Sequence, residues 1–188
     1  MQTLGLTDPP SRQENRLKAL FGPSIETGND VDSLGTQGYW ICTIVALLSF
    51  IFHAALGHVI VGIVSLLLFY LGGVGVRERS RYAASVVLLI YALDTLSLKF
   101  ALLTPGGILR LFLLVLLLSN LRATWIASRW SPQSADAVPP TRLTETWSDK
   151  FADTLPALVW PSLRMFYYVF SACILLLVVR VLVASALS

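Results

Sequence analysis

The hydrophobic pattern of the chain is divided by one charged stretch, Arg-Glu-Arg-Ser-Arg at 77–81, which interrupts a long apolar block at 39–127. Turn-forming residues at 57–58 and 104–107 divide each half of that block again. Four apolar runs result, at about 39–56, 59–76, 82–103 and 108–127. A helix of about 20 residues, rising about 1.5 Å per residue, crosses the hydrocarbon core of a bilayer. The pattern therefore predicts a four-span membrane core built from two helical hairpins.

The C-terminal part of the chain contains one further apolar run at 159–188, which predicts a fifth span starting at Pro161. The preceding segment, 128–158, combines a Pro- and Ser-rich linker with a helix that we expect to end at Pro156. Its apolar residues recur every four positions: Leu143, Trp147, Phe151 and Leu155. That spacing predicts an amphipathic helix at the cytosolic surface, lying in the lipid interface or against the spans.

The N-terminal segment, 1–38, is polar and is predicted to be a cytosolic tail. Ser11 followed by Glu14 forms a capping box, in which each side chain bonds a free amide at a helix start. A short amphipathic helix should follow, lying on the membrane surface or forming without membrane contact. Residues 24–38 are rich in Gly, Asp, Ser and Thr and predict a linker.

The composition supports a membrane protein. Hydrophobic residues make up 55% of the chain and charged residues only 13%, whereas soluble domains carry about 25% charged residues. The mean hydropathy is +0.71. The predicted fold class is therefore all-α: a polytopic helical membrane protein with five transmembrane helices and short amphipathic surface helices. The lipid bilayer is the expected partner, and no basic run predicts a nucleic-acid partner.

Charge placement predicts the orientation. Most of the 14 basic residues fall on one side of the five-span map, and Arg77, Arg79 and Arg81 are the residues that determine it. The positive-inside rule places this side in the cytosol. The N-terminus would then be cytosolic and the C-terminus outside, in an inner or plasma membrane. Acidic residues are also frequent on the cytosolic side, so we expect a mixed rather than a polybasic surface. All five tryptophans map to it as well: Trp40, Trp125, Trp130, Trp147 and Trp160.

Ionisable residues inside spans are costly and are therefore the candidate functional residues. They form a predicted polar cluster in the outer half of the membrane: His53, Asp94, Lys99, Arg110 and Arg180. Asp94 needs a partner or a proton. One interpretation is an ion pair with Arg180 or Arg110 that locks span three to span five. The other is a water-filled vestibule, open to the outside, that receives an anion or passes a proton.

Small and polar residues within the spans predict helix packing. The glycines at 72–75 lack the Lys-Ser/Thr of a phosphate loop and predict either close helix packing or a flexible helix end. A stripe on span one predicts a helix–helix seam: Cys42, Ala46, Ser49 and His53. Asn120 and Ser119 are expected to hydrogen-bond a neighbouring helix. Cys42 and Cys173 lie at different predicted depths, so a disulfide is not expected.

Catalytic chemistry has little support in the sequence. His53, His58 and Asp94 would make a 2-His-1-carboxylate metal set, but only their shared depth favours it. Ser49 or Ser97 has no nucleophile elbow around it. We therefore predict no catalytic residues, no metal and no cofactor.

The predicted function is that of a non-enzymatic structural or accessory subunit, which binds a membrane-protein partner or a second copy of the chain. The alternative is a small transporter or channel that uses the polar cluster around Asp94. A membrane enzyme is the weakest of the three hypotheses.

Overall fold

A computed structural model of the chain describes residues 28–97, 105–127 and 147–187. Every regular element within these ranges is an α-helix, which confirms the all-α class for them. The five helices are α1 (Gly28–Ala55), α2 (Val59–Arg77), α3 (Arg81–Ser97), α4 (Pro105–Ala127) and α5 (Trp147–Leu187). Four of them, α1, α2, α4 and α5, are long and apolar enough to cross a membrane. The described part of α3 has 17 residues, so the fifth span remains a prediction.

Helix α1 begins at Gly28, well before the predicted start of span one at Tyr39. The expected linker at 24–38 is therefore wrong from Gly28 onward. Val31 and Leu34 lie one helical turn apart and are both buried. This tertiary burial outweighs the low helix propensity of the neighbouring Gly, Asp and Thr residues.

Helix α5 is continuous through Pro156 and Pro161, so the predicted end of a separate surface helix at Pro156 is also wrong. A proline inside a helix removes one backbone hydrogen bond and costs about 3 kcal/mol. Packing offsets that cost here, because Pro156 and Ala152 are fully buried and Trp160 belongs to the core. The amphipathic segment and the fifth apolar run are one helix of 41 residues.

Three predictions fall outside the described residues. They are the short N-terminal helix after Ser11, the linker at 131–140 and the position of Lys99.

Helix α2 lies at the centre of the fold, where it packs against α1, α3 and α5, while α4 packs against α1 and α3. One core cluster joins α1, α2, α3 and α5 and includes Tyr39, Val74, Ala83, Trp160 and Tyr167. A second core cluster joins α1, α2, α3 and α4 and includes Cys42, Phe69, Val87 and Leu116. Of the four long apolar helices, α2 is the most buried and α5 the least.

The glycines near the end of α2 let three helices approach it. A Cβ atom on Gly73 would lie 2.6 Å from Cβ of Cys42 on α1. A Cβ atom on Gly75 would lie 2.4 Å from the Trp160 ring and 2.6 Å from Cβ of Ala83. Contacts this short are not tolerated by a side chain, so the predicted role in close helix packing is confirmed.

The predicted seam on α1 is confirmed as well. Cys42 and Ala46 are buried, and Cys42 faces Gly73. Near the turn between α1 and α2, a Cβ atom added to Gly62 would lie 3.4 Å from the Cβ atom of His53. Both cysteines are free thiols, as expected, with Cys42 buried and Cys173 exposed.

The first testable prediction compares two glycine substitutions. Gly75→Ala should lower the free energy of unfolding by about 1–3 kcal/mol, because its methyl group meets a tryptophan ring and the backbone-fixed Cβ of Ala83. Gly35→Ala is the matched control. Its added Cβ atom would lie 3.4 Å from the nearest atom outside its own helix, Nη1 of Arg77, which is an ordinary contact distance. The measurement is thermal unfolding of the detergent-solubilised protein followed by tryptophan fluorescence. Equal melting temperatures for both variants would contradict the packing described for α2.

Candidate functional site

Arg77, the last residue of α2, forms an ion-pair hub between three helices. Its Nη1 donates to Oδ1 of Asp32 on α1 at 2.6 Å. Its Nη2 donates to Oδ1 of Asp153 on α5. The Arg77 side chain is 10% exposed, while those of Asp32 and Asp153 are 26% and 36% exposed. We call these three residues the Arg77 clamp; it fixes the same ends of α1, α2 and α5 to one another.

The chemistry of arginine suits this position. A guanidinium group is planar, always charged and presents several donors, so one side chain can bind two carboxylates at once. A cation in the last turn of α2 is also favoured by the helix dipole. Nε of Arg77 is buried and has no hydrogen-bond partner among the described residues. The clamp therefore combines strong charge pairing with one unmet donor.

A small polar cavity lies beside the clamp. Its volume is about 240 Å³, and Arg77, Glu78, Arg79 and Asp153 line it. Two guanidinium groups and two carboxylates thus share its wall, and their formal charges cancel. Arg77 and Asp153 already form an ion pair across this cavity, and this pair joins α2 to α5.

The three arginines predicted to determine topology have different surroundings. Arg77 is turned inward, whereas Arg79 and Arg81 are exposed. Arg79 adopts φ +57° in the tight turn between α2 and α3, and Ser80 caps α3 by accepting a hydrogen bond from the Ala83 amide. The guanidinium carbon of Arg81 lies 5.8 Å from the centre of the Trp125 ring on α4. Sequence reasoning treated these arginines alike and missed the packing role of Arg77.

Asp94 pairs with Arg110, whose Nη1 donates to Oδ2 of the carboxylate at 2.7 Å. This bond joins α3 to α4, so the predicted lock between span three and span five is corrected. The pair lies at the end of the α3–α4 hairpin remote from Arg77, with Asp94 61% exposed and Arg110 37% exposed. Arg180, the other partner considered, is exposed on α5.

His53 does not join this pair, and Lys99 lies outside the described residues. The His53 ring nitrogen Nδ1 lies 2.8 Å from the backbone oxygen of Ser49 in the same helix. Its Cβ faces Gly62, as described above, so His53 belongs to the α1–α2 seam. Within residues 28–97, 105–127 and 147–187, no group of three or more His, Cys, Asp or Glu side chains is placed to hold a metal.

Asn120 on α4 reaches a neighbouring helix, as expected. Its Nδ2 donates to the backbone oxygen of Leu34 on α1 at 2.5 Å. A Cβ atom on Gly38 would collide with this amide, at 1.9 Å, and would lie 2.8 Å from Val76. Gly38 therefore provides the space in which α1, α2 and α4 meet near the Arg77 clamp.

Asp32 and Asp153 are the site residues that sequence reasoning missed. The sequence predicts a linker around Asp32 and a surface helix around Asp153. Carboxylates in such segments are ordinarily solvated. The sequence does contain a usable signal. Asp32 precedes span one and Asp153 precedes span five, on the same predicted side of the membrane as Arg77 at the end of span two.

No protein-family model, curated protein or solved structure matches this chain. Its function is therefore inferred from the geometry of its own residues.

The second prediction concerns the Arg77 clamp. Arg77→Met should reduce the free energy of unfolding by about 2–3 kcal/mol, because two ion pairs between helices are lost while the carboxylates remain partly hydrated. Asp153→Asn should cost about 1 kcal/mol, since Arg77 keeps Asp32. Chemical denaturation in detergent micelles measures both values.

Arg79→Met is the matched control for this experiment, because it removes an exposed arginine two residues away. Its effect on stability should stay within about 0.5 kcal/mol. If Arg77→Met and Arg79→Met destabilise the protein equally, Arg77 does not hold the helices together.

Proposed function

We propose that this chain is a five-span integral membrane protein that acts as a non-enzymatic structural or accessory subunit. The observation that carries the proposal is the Arg77 clamp. The most buried arginine of the described fold is used to join α1, α2 and α5, and Asn120 is likewise used to join α4 to α1. Polar groups inside the fold thus serve helix contacts.

The outer surface supports a membrane location. Large apolar side chains are exposed along the helices, with Ile60 at 80%, Leu176 at 71% and Val181 at 66% exposure. Further examples lie on the outer half of α1: Ile44, Leu47, Leu48, Ile51 and Phe52. A soluble monomer seldom exposes an apolar surface of this extent. Hydrocarbon chains would cover it at no cost, so a bilayer is the solvent that suits this surface.

The proposed orientation places the end with the Arg77 clamp in the cytosol. Arg79 and Arg81 are exposed there, and moving them across hydrocarbon is costly. Aromatic contacts gather at the same end: Trp40 stacks on Phe151, and Trp125 lies beneath Arg81. Tryptophan is enriched at membrane–water interfaces. The N-terminal segment would then be cytosolic and the C-terminus outside, in an inner or plasma membrane.

The second candidate is a small transporter or channel around Asp94. One observation favours it: the Thr95 hydroxyl, next to Asp94 in sequence, is fully buried and lacks a hydrogen-bond partner among the described residues. Against it, the Asp94 charge is already matched by Arg110. An ion pair that ties α3 to α4 agrees better with the structural role.

The third prediction tests the orientation. Cys42 and Cys173 are replaced by serine, and Ser80→Cys introduces a single thiol in the turn after Arg79. A membrane-impermeant maleimide should label this thiol only after the cytosolic side is opened, because the turn is expected to face the cytosol. A reporter fused after Ser188 should be active outside.

Labelling of position 80 in intact cells, or a cytosolic location of the reporter, would refute the orientation. A thiol introduced by Ser188→Cys in the same cysteine-free background is the control for maleimide access, because it should be labelled in intact cells.

The fourth prediction separates the two functions. In proteoliposomes, a structural subunit should give no ion flux that depends on Asp94, so wild-type protein and Asp94→Asn should show equal leakage of protons and of chloride. In mild detergent extracts, both should form an assembly whose protein mass, without bound detergent, exceeds that of one 20.6 kDa chain.

A flux that Asp94→Asn abolishes would establish the transport function instead. Migration as a monomer together with such a flux would exclude the subunit role. Arg180→Gln, which removes an exposed charge on α5, is the control for unspecific changes in leakage.

A further inference from the structure

Among the described residues at the clamp end of the fold, the paired carboxylates lie inside and most exposed charges are basic. The carboxylates of Asp32 and Asp153 are bound to Arg77. The basic residues point outward instead: Arg79, Arg81, Arg122 and Arg164 are exposed. From sequence alone, this side was expected to be mixed. Within the described ranges, the exposed rim is more basic than that expectation, although Glu78 is exposed there as well.

Three of these arginines lie along the outer side of neighbouring helices. Arg81 at the start of α3 lies over Trp125. Arg122 precedes Trp125 by one turn of α4 and is exposed like it. We call Arg81, Arg122, Trp125 and Arg164 the Arg81 patch.

Arg164 is connected to this patch through two tyrosines. The ring of Tyr82, next to Arg81, lies 4.8 Å from the ring of Tyr168 on α5. Its hydroxyl also lies 3.1 Å from Oγ of Ser171. Arg164 precedes Tyr168 by one helical turn, so it lies on the same side of α5, next to the start of α3.

None of the three arginines forms an ion pair within the part of the chain that the structure describes. Guanidinium groups bind phosphate oxygens through two parallel hydrogen bonds. An aromatic ring beside them is typical of the level at which lipid headgroups lie. The chemistry of the patch therefore favours an anionic phosphate group.

Apolar side chains continue from the patch along the same helices. Leu118 lies one turn before Arg122 on α4 and is 55% exposed. Met165 and Val169, beside and beyond Arg164 on α5, are also exposed. A free phosphate would leave these side chains uncovered, whereas the acyl chains of a lipid would cover them. This continuity selects a lipid as the source of the phosphate.

We infer that the Arg81 patch binds the headgroup of an anionic phospholipid in the leaflet on the same side of the membrane as the Arg77 clamp. The inference depends on the membrane location proposed above. It assigns the exposed arginines a second role besides setting the orientation: they select the lipids that surround the protein.

The test is lipid retention measured by native mass spectrometry. The full chain is extracted in detergent and titrated with phosphatidylglycerol or, separately, with phosphatidylcholine. The wild type should retain phosphatidylglycerol preferentially. Replacing Arg81, Arg122 and Arg164 together by glutamine should lower that retention by about tenfold or more, because each removes a cation near the headgroup. Phosphatidylcholine retention should not change.

The matched control is Arg79→Gln combined with Arg180→Gln, which removes two exposed arginines outside the patch. Its phosphatidylglycerol retention should equal that of the wild type. An equal loss in the control and the triple variant, or no preference for phosphatidylglycerol in the wild type, would overturn the inference. Full competition by inorganic phosphate would identify a free-anion site instead and would overturn it as well.

Two further measurements keep the result interpretable. If the triple variant fails to fold, the single variants Arg122→Gln and Arg164→Gln should each lower retention, and unchanged retention in both refutes the patch. Resistance of the wild type to carbonate extraction from membranes tests the membrane location itself. Carbonate-resistant protein without phosphatidylglycerol preference refutes the lipid site alone, whereas release by carbonate refutes the proposed function.

Discussion

The fold depends on how Arg77 is neutralised. A guanidinium group that is only 10% exposed would be very unfavourable without carboxylates, and Asp32 and Asp153 supply them from two other helices. Each carboxylate binds a different Nη group of Arg77, so α1, α2 and α5 cannot separate at this end without breaking one of these ion pairs. Such mutual dependence specifies one arrangement of helices that are otherwise held by nondirectional apolar contacts.

Close packing completes what the ion pairs begin. Gly73 and Gly75 lie within two turns of Arg77 and bring Cys42, Ala83 and Trp160 against α2. In lipid, helix association gains little from the hydrophobic effect, so backbone proximity and buried hydrogen bonds take its place. The Asn120 amide, which donates to Leu34 across the gap left by Gly38, follows the same principle. Glycines, one amide and one ionic clamp therefore lie together at a single end of the bundle.

Much of this architecture could be predicted from the sequence because hydrophobic periodicity and turn residues are local signals. The apolar parts of the helices, the turn at Gly57 and the seam through Cys42 and His53 follow from neighbours within one or two turns, whereas the start of α1 and the continuity of α5 depend on tertiary burial. The contacts of Arg77 could not be predicted in the same way. Its partners lie 45 and 76 residues away, and both were hidden in segments whose composition suggests solvent exposure. The choice of Arg110 over Arg180 as the partner of Asp94 likewise depends on which helices are neighbours, and local periodicity does not encode that.

The spacing of the clamp along the chain has a consequence for biogenesis. Asp32 precedes Arg77, so their bond is available as soon as the ribosome has released the first hairpin. Asp153 is translated 76 residues after Arg77, when every residue of both hairpins has already been synthesised. Until then Arg77 has only one of its two carboxylate partners, and its Nη2 group lacks the acceptor that α5 supplies. Docking of α5 is thus the last of these contacts to form, and a chain that ended before Asp153 would keep the Arg77–Asp32 pair but lack the bond that fixes α5 to α2.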